Sequence, residues 1–237
     1  MKCQCCGSEM VLFMNFKKTY VCHGCGHVYW NWNKTQDEIK KFYDSWRNNE
    51  KPIAKQKRIK WSKNICEFID STYKIKNNDS ILEIGSFDGI MSKHLHYFFQ
   101  DCELHLNELD TSSYEKYLAK NFKNTYNCNF LEMKGKFDVL VAIDVLEHFD
   151  NLKSFYDKVV ELEINTLILQ VPFKRPLRGD IDKRDFHPHY HLFSKNSIQK
   201  LFSDGYVMTN WKKTTHDFSA KGPEQICIFK RRRNATV

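Results

Sequence analysis

From residue 79 onward, apolar runs of strand length alternate with stretches of helical periodicity, and no other feature restricts the fold as much. SILEIG, CELHLNEL, FDVLVAID and NTLILQVPF read as strands, while residues 90–99, 112–121 and 151–163 read as helices between them. Strands joined through helices pair in parallel, with helices on both faces of the sheet. SKNSIQKLFSDGY then predicts an N-capped helix followed by Gly205, and YVMTNWKK and EQICIFK predict a closing antiparallel pair. The expected class is α/β: a doubly wound, mostly parallel sheet of seven strands. At 237 residues and 41% hydrophobic content, one such domain and a small appendage fit.

Ligands of open α/β sheets lie beyond the carboxyl ends of the strands. There the first strand delivers Glu83 and then the turn Gly85–Gly89, whose glycines let backbone approach a ligand closely. Glu108 ends the next strand, 25 positions on, and suits a pair of ribose hydroxyls. The turn lacks both the G-x-G-x-x-G spacing of a dinucleotide site and the Lys-Ser/Thr of a phosphate loop. The expected ligand is therefore a nucleoside without a pyrophosphate.

Nine cysteines are unevenly spread. Cys66, Cys102, Cys128 and Cys227 stand singly and read as core thiols. Cys3 and Cys6 form one C-x2-C pair, Cys22 and Cys25 a second, with fifteen residues between. Two knuckles of this kind close a tetrahedron of thiolates around structural Zn²⁺, and Gly7 and Gly26 follow where a knuckle needs unusual φ. A redox dithiol or disulfides are the alternatives, and neither accounts for two matched knuckles. Cys5 competes with Cys6; His23 and His27 are substitute ligands or else exposed. VLFMNF and TYVC predict a short hairpin between the pairs. The expected organisation is a zinc ribbon over 1–32, a helical lead-in over 33–78 and the α/β domain over 79–237. In the lead-in, residues 33–48 predict a helix capped by Thr35 and Glu38. A second runs from Pro52 to about Tyr73, with Trp61, Ile65, Phe68 and Ile69 facing the core.

LEIGSFDG, then NELD and FDVLVAIDVLEHFDN, together resemble the Rossmann-like class I S-adenosylmethionine-dependent methyltransferases over about residues 78–205. The resemblance implies S-adenosylmethionine as cofactor. It implies that Gly85 and Gly89, with Ser86 and Phe87 between them, shape the turn under the methionine moiety. Glu83 would lie near the amino group and Glu108 at the ribose, followed by Leu109. Asn129 would approach the adenine amine and Phe130 its ring, and Asp144 would open the loop after the fourth strand. Two positions depart from the family pattern: Phe87 replaces the middle glycine and Asn129 the usual Asp. G-S-x-D-G is similar to the form found in sugar methyltransferases, which often carry a zinc-binding segment. Residues 1–46 resemble the start of small bacterial-type methyltransferases.

Transfer to a hydroxyl needs alignment and a proton acceptor. Glu147 and His148 follow the fourth strand, and His191 belongs to FHPHYHLF, where His187 and His189 are expected to be exposed. These are the candidate catalytic groups; His148 and His191 read equally as loop braces. Asp144, Glu147, His148 and His191 also resemble the E-x-x-E-H…H set that holds a divalent cation in small-RNA 2′-O-methyltransferases and ubiquinone-pathway O-methyltransferases. That implies Mg or Mn. Lacking an N/D-P-P-Y motif, the chain is expected to methylate oxygen in a sugar, nucleotide-sugar or glycan. An RNA methyltransferase and a non-catalytic binding protein with a degenerate domain are the competing expectations. A net charge of +8 favours RNA, nucleotide phosphates or anionic glycans, or is simply a solvated basic surface. With no signal-peptide pattern and no apolar run near ~20 residues, a cytoplasmic protein without membrane contact is expected.

Overall fold

The computed structural model describes residues 1–14, 18–31, 38, 52–173, 189–215 and 223–233. Two sheets organise them. The larger is built from β4 (Ser80–Ile84), β5 (Glu103–Asn107), β6 (Asn124–Tyr126), β7 (Val139–Ile143), β8 (Thr166–Pro172), β10 (Tyr206–Thr215) and β11 (Pro223–Arg231). Its order is β10-β11-β8-β7-β4-β5-β6. The five strands from β8 to β6 pair in parallel, and β11 runs antiparallel to both β8 and β10. The seven-stranded, mostly parallel sheet is the one the sequence predicts.

Strand β7 shows why both faces must be covered. Val139 and Val141 point into one apolar layer with Ile65, Ile69 and Leu95, from helices α1 (Pro52–Thr72) and α2 (Ile90–Phe98). Leu140 and Ala142 point into the opposite layer with Phe155, Ile198 and Phe202. Those come from helices α4 (Leu152–Glu161) and α5 (Lys195–Leu201) and from the residue capping α5. Side chains alternate along a strand, so an all-apolar strand needs a helical layer on each side. The stretch expected as a helix over 112–121 is a single turn, α3 (Thr111–Ser113), that widens into a π-helical segment, Tyr114–Leu118. The expected helix over 33–48 lies outside the described residues apart from Glu38.

The smaller sheet has the order β1-β2-β3-β9. Strands β1 (Met10–Met14) and β2 (Thr19–Cys22) form the expected hairpin, and β3 (Val28–Trp30) adds to it. Its fourth strand, β9 (His191–Leu192), comes from the α/β domain and pairs Val28 with Leu192 and Tyr29 with His191. The cysteine-rich lobe thus extends beyond residues 1–32 and is sewn into the domain. Among the described residues, no helix is long and apolar enough to cross a membrane.

Candidate functional site

Strand β4 ends in a turn held on two sides. Gly85 and Gly89 have φ of 69° and 70°, the left-handed region open to glycine at least cost. A Cβ on Gly85 would also lie 2.5 Å from Val145 Cγ2. Phe87, where a glycine is usual, has φ 46°. Its ring turns to α1, with the Arg58 guanidinium 5.2 Å from its centroid, while Arg58 Nη2 donates to Asp88 at 2.5 Å. Helix α1 thereby clamps the turn.

Glu108 is buried at the end of β5. Its two carboxylate oxygens accept from Phe87 N and Asp110 N, each at 2.8 Å. Beside it Leu109 is 66% exposed, an apolar side chain left open to solvent. Asn127 donates to the Glu108 and Leu109 carbonyls and squares the ends of β5 and β6. Glu83 is buried and accepts from Ser92 Oγ at 2.5 Å. Desolvation pushes its carboxyl up to about 8, with Asp88 and Glu108 adding repulsion and the Ser92 bond opposing it. Ser86 is buried and fastened to Asn107 O through its amide. Asn129 is exposed, its side chain accepting from Leu131 N at the start of a helical turn. Phe130 is packed inward between Phe149 and Phe155. Glu83, Gly85–Gly89, Glu108 and Leu109 therefore gather at the carboxyl ends of β4 and β5.

A second group faces the exit of β7. Asp144 leaves that strand at φ 55°, and a single 3-10 turn, Leu146–His148, follows. Glu147 is fully buried; its Oε1 lies 3.9 Å from His148 Nε2 and 3.7 Å from His189 Nε2. The His148 and His189 rings meet edge-on at 4.8 Å. Ligand atoms of Glu147, His148 and His189 all lie within 4.8 Å of one another, close enough to share one ion. This corrects the expected set. His189 is buried rather than exposed and takes the place given to His191; Asp144 stands outside the group. His187 lies outside the described residues. His191 turns the other way, its Nδ1 3.0 Å from His27 Nε2 and its Nε2 2.7 Å from Phe149 O. Burial pushes the His191 imidazole well below its ordinary value and keeps it neutral. No sequence period distinguishes His189 from His191; the choice is made by β9 pairing with β3.

In the cysteine-rich lobe, the sulfurs of Cys3, Cys6, Cys22 and Cys25 lie within 4.8 Å of one another, with Cys3–Cys25 at 3.6 Å and Cys6–Cys22 at 3.5 Å. Sulfurs about 2.3 Å from a tetrahedral ion lie about 3.8 Å apart, so the four fit one Zn²⁺. Gly7 and Gly26 have φ of 73° and 78°, as knuckles require. Cys5 is buried beside Cys3, and desolvation keeps its thiol protonated. His27, expected as exposed if not a ligand, is fully buried. Its Nδ1 sits 3.4 Å from Cys3 Sγ. His23 is exposed.

A family model described as a methyltransferase domain matches residues 54–205. No curated protein matches the chain by sequence. Among solved structures, magnesium protoporphyrin IX methyltransferase from Synechocystis with bound SAH is 14% identical, with a TM-score of 0.59 over 82% of this chain and 96% of that one. The plantazolicin methyltransferase BpumL in complex with SAH is 11% identical, with a TM-score of 0.56 over 84% and 92%. Coclaurine N-methyltransferase bound to N-methylheliamine and SAH is 12% identical, with a TM-score of 0.53 over 71% and 70%. At such identities the likeness is one of fold.

Proposed function

This chain belongs to the methyltransferase-domain family, and on that premise we propose that it moves the methyl group of S-adenosylmethionine to a hydroxyl of a sugar, nucleotide-sugar or glycan. The observation that carries the reading is Glu108, a buried carboxylate at the end of β5 directly beside the Gly85–Gly89 turn. A carboxylate there can take a ribose diol on its remaining lone pairs. S-adenosylmethionine supplies an electrophilic methyl on sulfur when bound. The protein does the rest. Glu83 receives the cationic amino group, the turn lies under the methionine chain, and Leu109 covers the base, with Asn129 and Phe130 on the adenine side and Asp144 opening the loop toward the acceptor.

Glu147, His148 and His189 form the acceptor side. An imidazole oriented by a buried carboxylate takes the hydroxyl proton as the methyl arrives. His191 serves the fold rather than the proton transfer. The same three side chains are a donor set for a divalent cation, which would orient the hydroxyl and lower its pKa. Two imidazoles and one carboxylate suit Mn²⁺ better than Mg²⁺, which prefers oxygen. That compact cluster also favours the second reading, metal-assisted 2′-O-methylation of RNA. The Cys3, Cys6, Cys22 and Cys25 sulfurs hold structural Zn²⁺.

Calorimetry with S-adenosylmethionine tests the first step; absence of binding at physiological concentration removes the assignment and favours a binding module. Transfer of labelled methyl to sugar, nucleotide-sugar and RNA acceptors then separates the readings. RNA binding must weaken steeply with salt, and sugar binding must not. After EDTA, recovery of the rate with Mn²⁺ but not with Zn²⁺ places a cation at the cluster, and recovery with Zn²⁺ alone places the requirement at the cysteines.

A further inference from the structure

The geometry points to His27 and His191 as positioning residues, through which the cysteine-rich lobe fixes Glu147, His148 and His189. The inference rests on reading that trio as the acceptor side of the methyltransferase.

The trio is carried by two short segments, 147–148 and 189. The first belongs to the single 3-10 turn Leu146–His148 and the second lies just before β9, and neither has a long helix or strand of its own to hold it. The lobe's contacts converge on these segments and their flanks. Trp30 N donates to Tyr190 O at 2.9 Å, and Tyr190 N donates to Glu147 O at 2.8 Å, so one residue joins β3 to the backbone of Glu147. Gln4 donates from Nε2 to Asp150 O at 2.9 Å and accepts from Leu152 N at 2.7 Å, pinning the far side of the same turn. Ser194 Oγ donates to Cys25 O at 2.5 Å just past β9.

At the centre lies the histidine pair. The Phe149 carbonyl can only accept, so His191 Nε2 carries the proton in their 2.7 Å bond. In the neutral ring Nδ1 is then an acceptor, and His27 Nε2 must donate to it across 3.0 Å. The ring centroids lie 5.0 Å apart with planes 25° from parallel, and both residues are fully buried. This fixes the tautomer of His191 and ties Phe149, one residue after His148, to a cysteine knuckle through two imidazoles. A lobe needed only for docking could use any apolar contact here. A directional pair ending on the backbone beside His148 sets position as well.

The test compares His27→Phe, which keeps a flat ring without the donor, with His27→Gln, whose amide restores one. Histidine-labelled NMR reads the rings of His148 and His189, and hydrogen exchange reads the Tyr190 amide. S-adenosylhomocysteine calorimetry reads the proposed cofactor site separately. In His27→Phe both ring signals shift and Tyr190 protection falls about tenfold or more. S-adenosylhomocysteine affinity stays within about twofold, and His27→Gln returns the signals toward wild type. Gln4 is exposed, so Gln4→Ala supplies a variant that folds; it must move the His148 signal if the lobe sets this turn. The inference is overturned if His148 and His189 stay unmoved in His27→Phe while only the melting temperature falls, or, should that variant not fold, if they stay unmoved in Gln4→Ala. Failure of the wild type to bind S-adenosylhomocysteine overturns the functional reading instead and leaves the NMR coupling readable.

Discussion

The amide of Phe87 donates to the carboxylate of Glu108 at 2.8 Å, joining the turn after the first parallel strand to the acid after the second. The bond helps hold Phe87 at its positive φ and, with that from Asp110 N, fixes the Glu108 carboxylate. Removing the carboxylate therefore loosens the turn and the diol clasp together. Glu108→Ala is expected to weaken S-adenosylmethionine binding by about 2 kcal/mol or more, roughly thirtyfold, and Glu108→Gln by less. Calorimetry measures both; equal affinity in all three proteins contradicts the proposed clasp.

Gly85 tests the turn from its other side. An alanine there meets both the left-handed backbone and Val145 Cγ2 at 2.5 Å. Gly85→Ala is expected to cost about 3 kcal/mol. Adding Val145→Ala relieves the clash but leaves about 1 kcal/mol of backbone strain. Urea unfolding of the single and double variants gives the coupling, and simple additivity would contradict it.

Glu83 gives a pH signature. Its folded pKa is raised from 4.5 to about 8, so the native chain keeps a proton that the unfolded chain has released. Stability from this residue is complete below 4.5, falls as pH rises through the window to about 8, and is level above it. Glu83→Gln flattens that slope in urea midpoints. An arriving ammonium favours the carboxylate, so binding S-adenosylmethionine near neutrality releases about one proton. Calorimetry in buffers of different ionisation enthalpy counts it.

The four knuckle sulfurs predict about one zinc ion per chain by elemental analysis. Cys22→Ser and Cys25→Ser lose the metal and lower the melting temperature, since a lobe this small depends on its ion to fold. Cys5→Ala retains it, because the sulfurs of Cys3, Cys6, Cys22 and Cys25 complete the tetrahedron without Cys5. Loss of zinc in Cys5→Ala would assign the site to Cys3, Cys5 and His27 instead, the other compact group in the lobe.

On the acceptor side, Glu147→Gln and His189→Ala are expected to lower turnover by about 10²-fold or more with unchanged cofactor affinity. Rates for these variants on one acceptor decide whether His189 belongs to the proton path.

The strands of the sheet and the turn of the proposed cofactor site were legible because their signals are local. Leu140 and Ala142 alternate with Val139 and Val141 within one strand, and Glu83 and Glu108 sit where strand periodicity stops. The acceptor side was only half legible. HPHYH offers three histidines, and which one reaches Glu147 depends on a two-residue strand whose partners lie 164 and 162 positions away, Val28 with Leu192 and Tyr29 with His191. The burial of His27 was hidden for the same reason: its partner His191 lies 164 residues on. Cysteine spacing announced the knuckles, but not that they lean on the catalytic domain.

The pairing of β3 with β9 also orders events during synthesis. The knuckles and the first three strands are translated long before Leu192, so β3 waits with one edge bare while the parallel core condenses beside it. Contacts of such sequence separation close late and slowly. The β3 edge stays bare until 191–192 have been made, and a ribosome-stalled chain ending short of that point would display β3 as an unpaired edge strand.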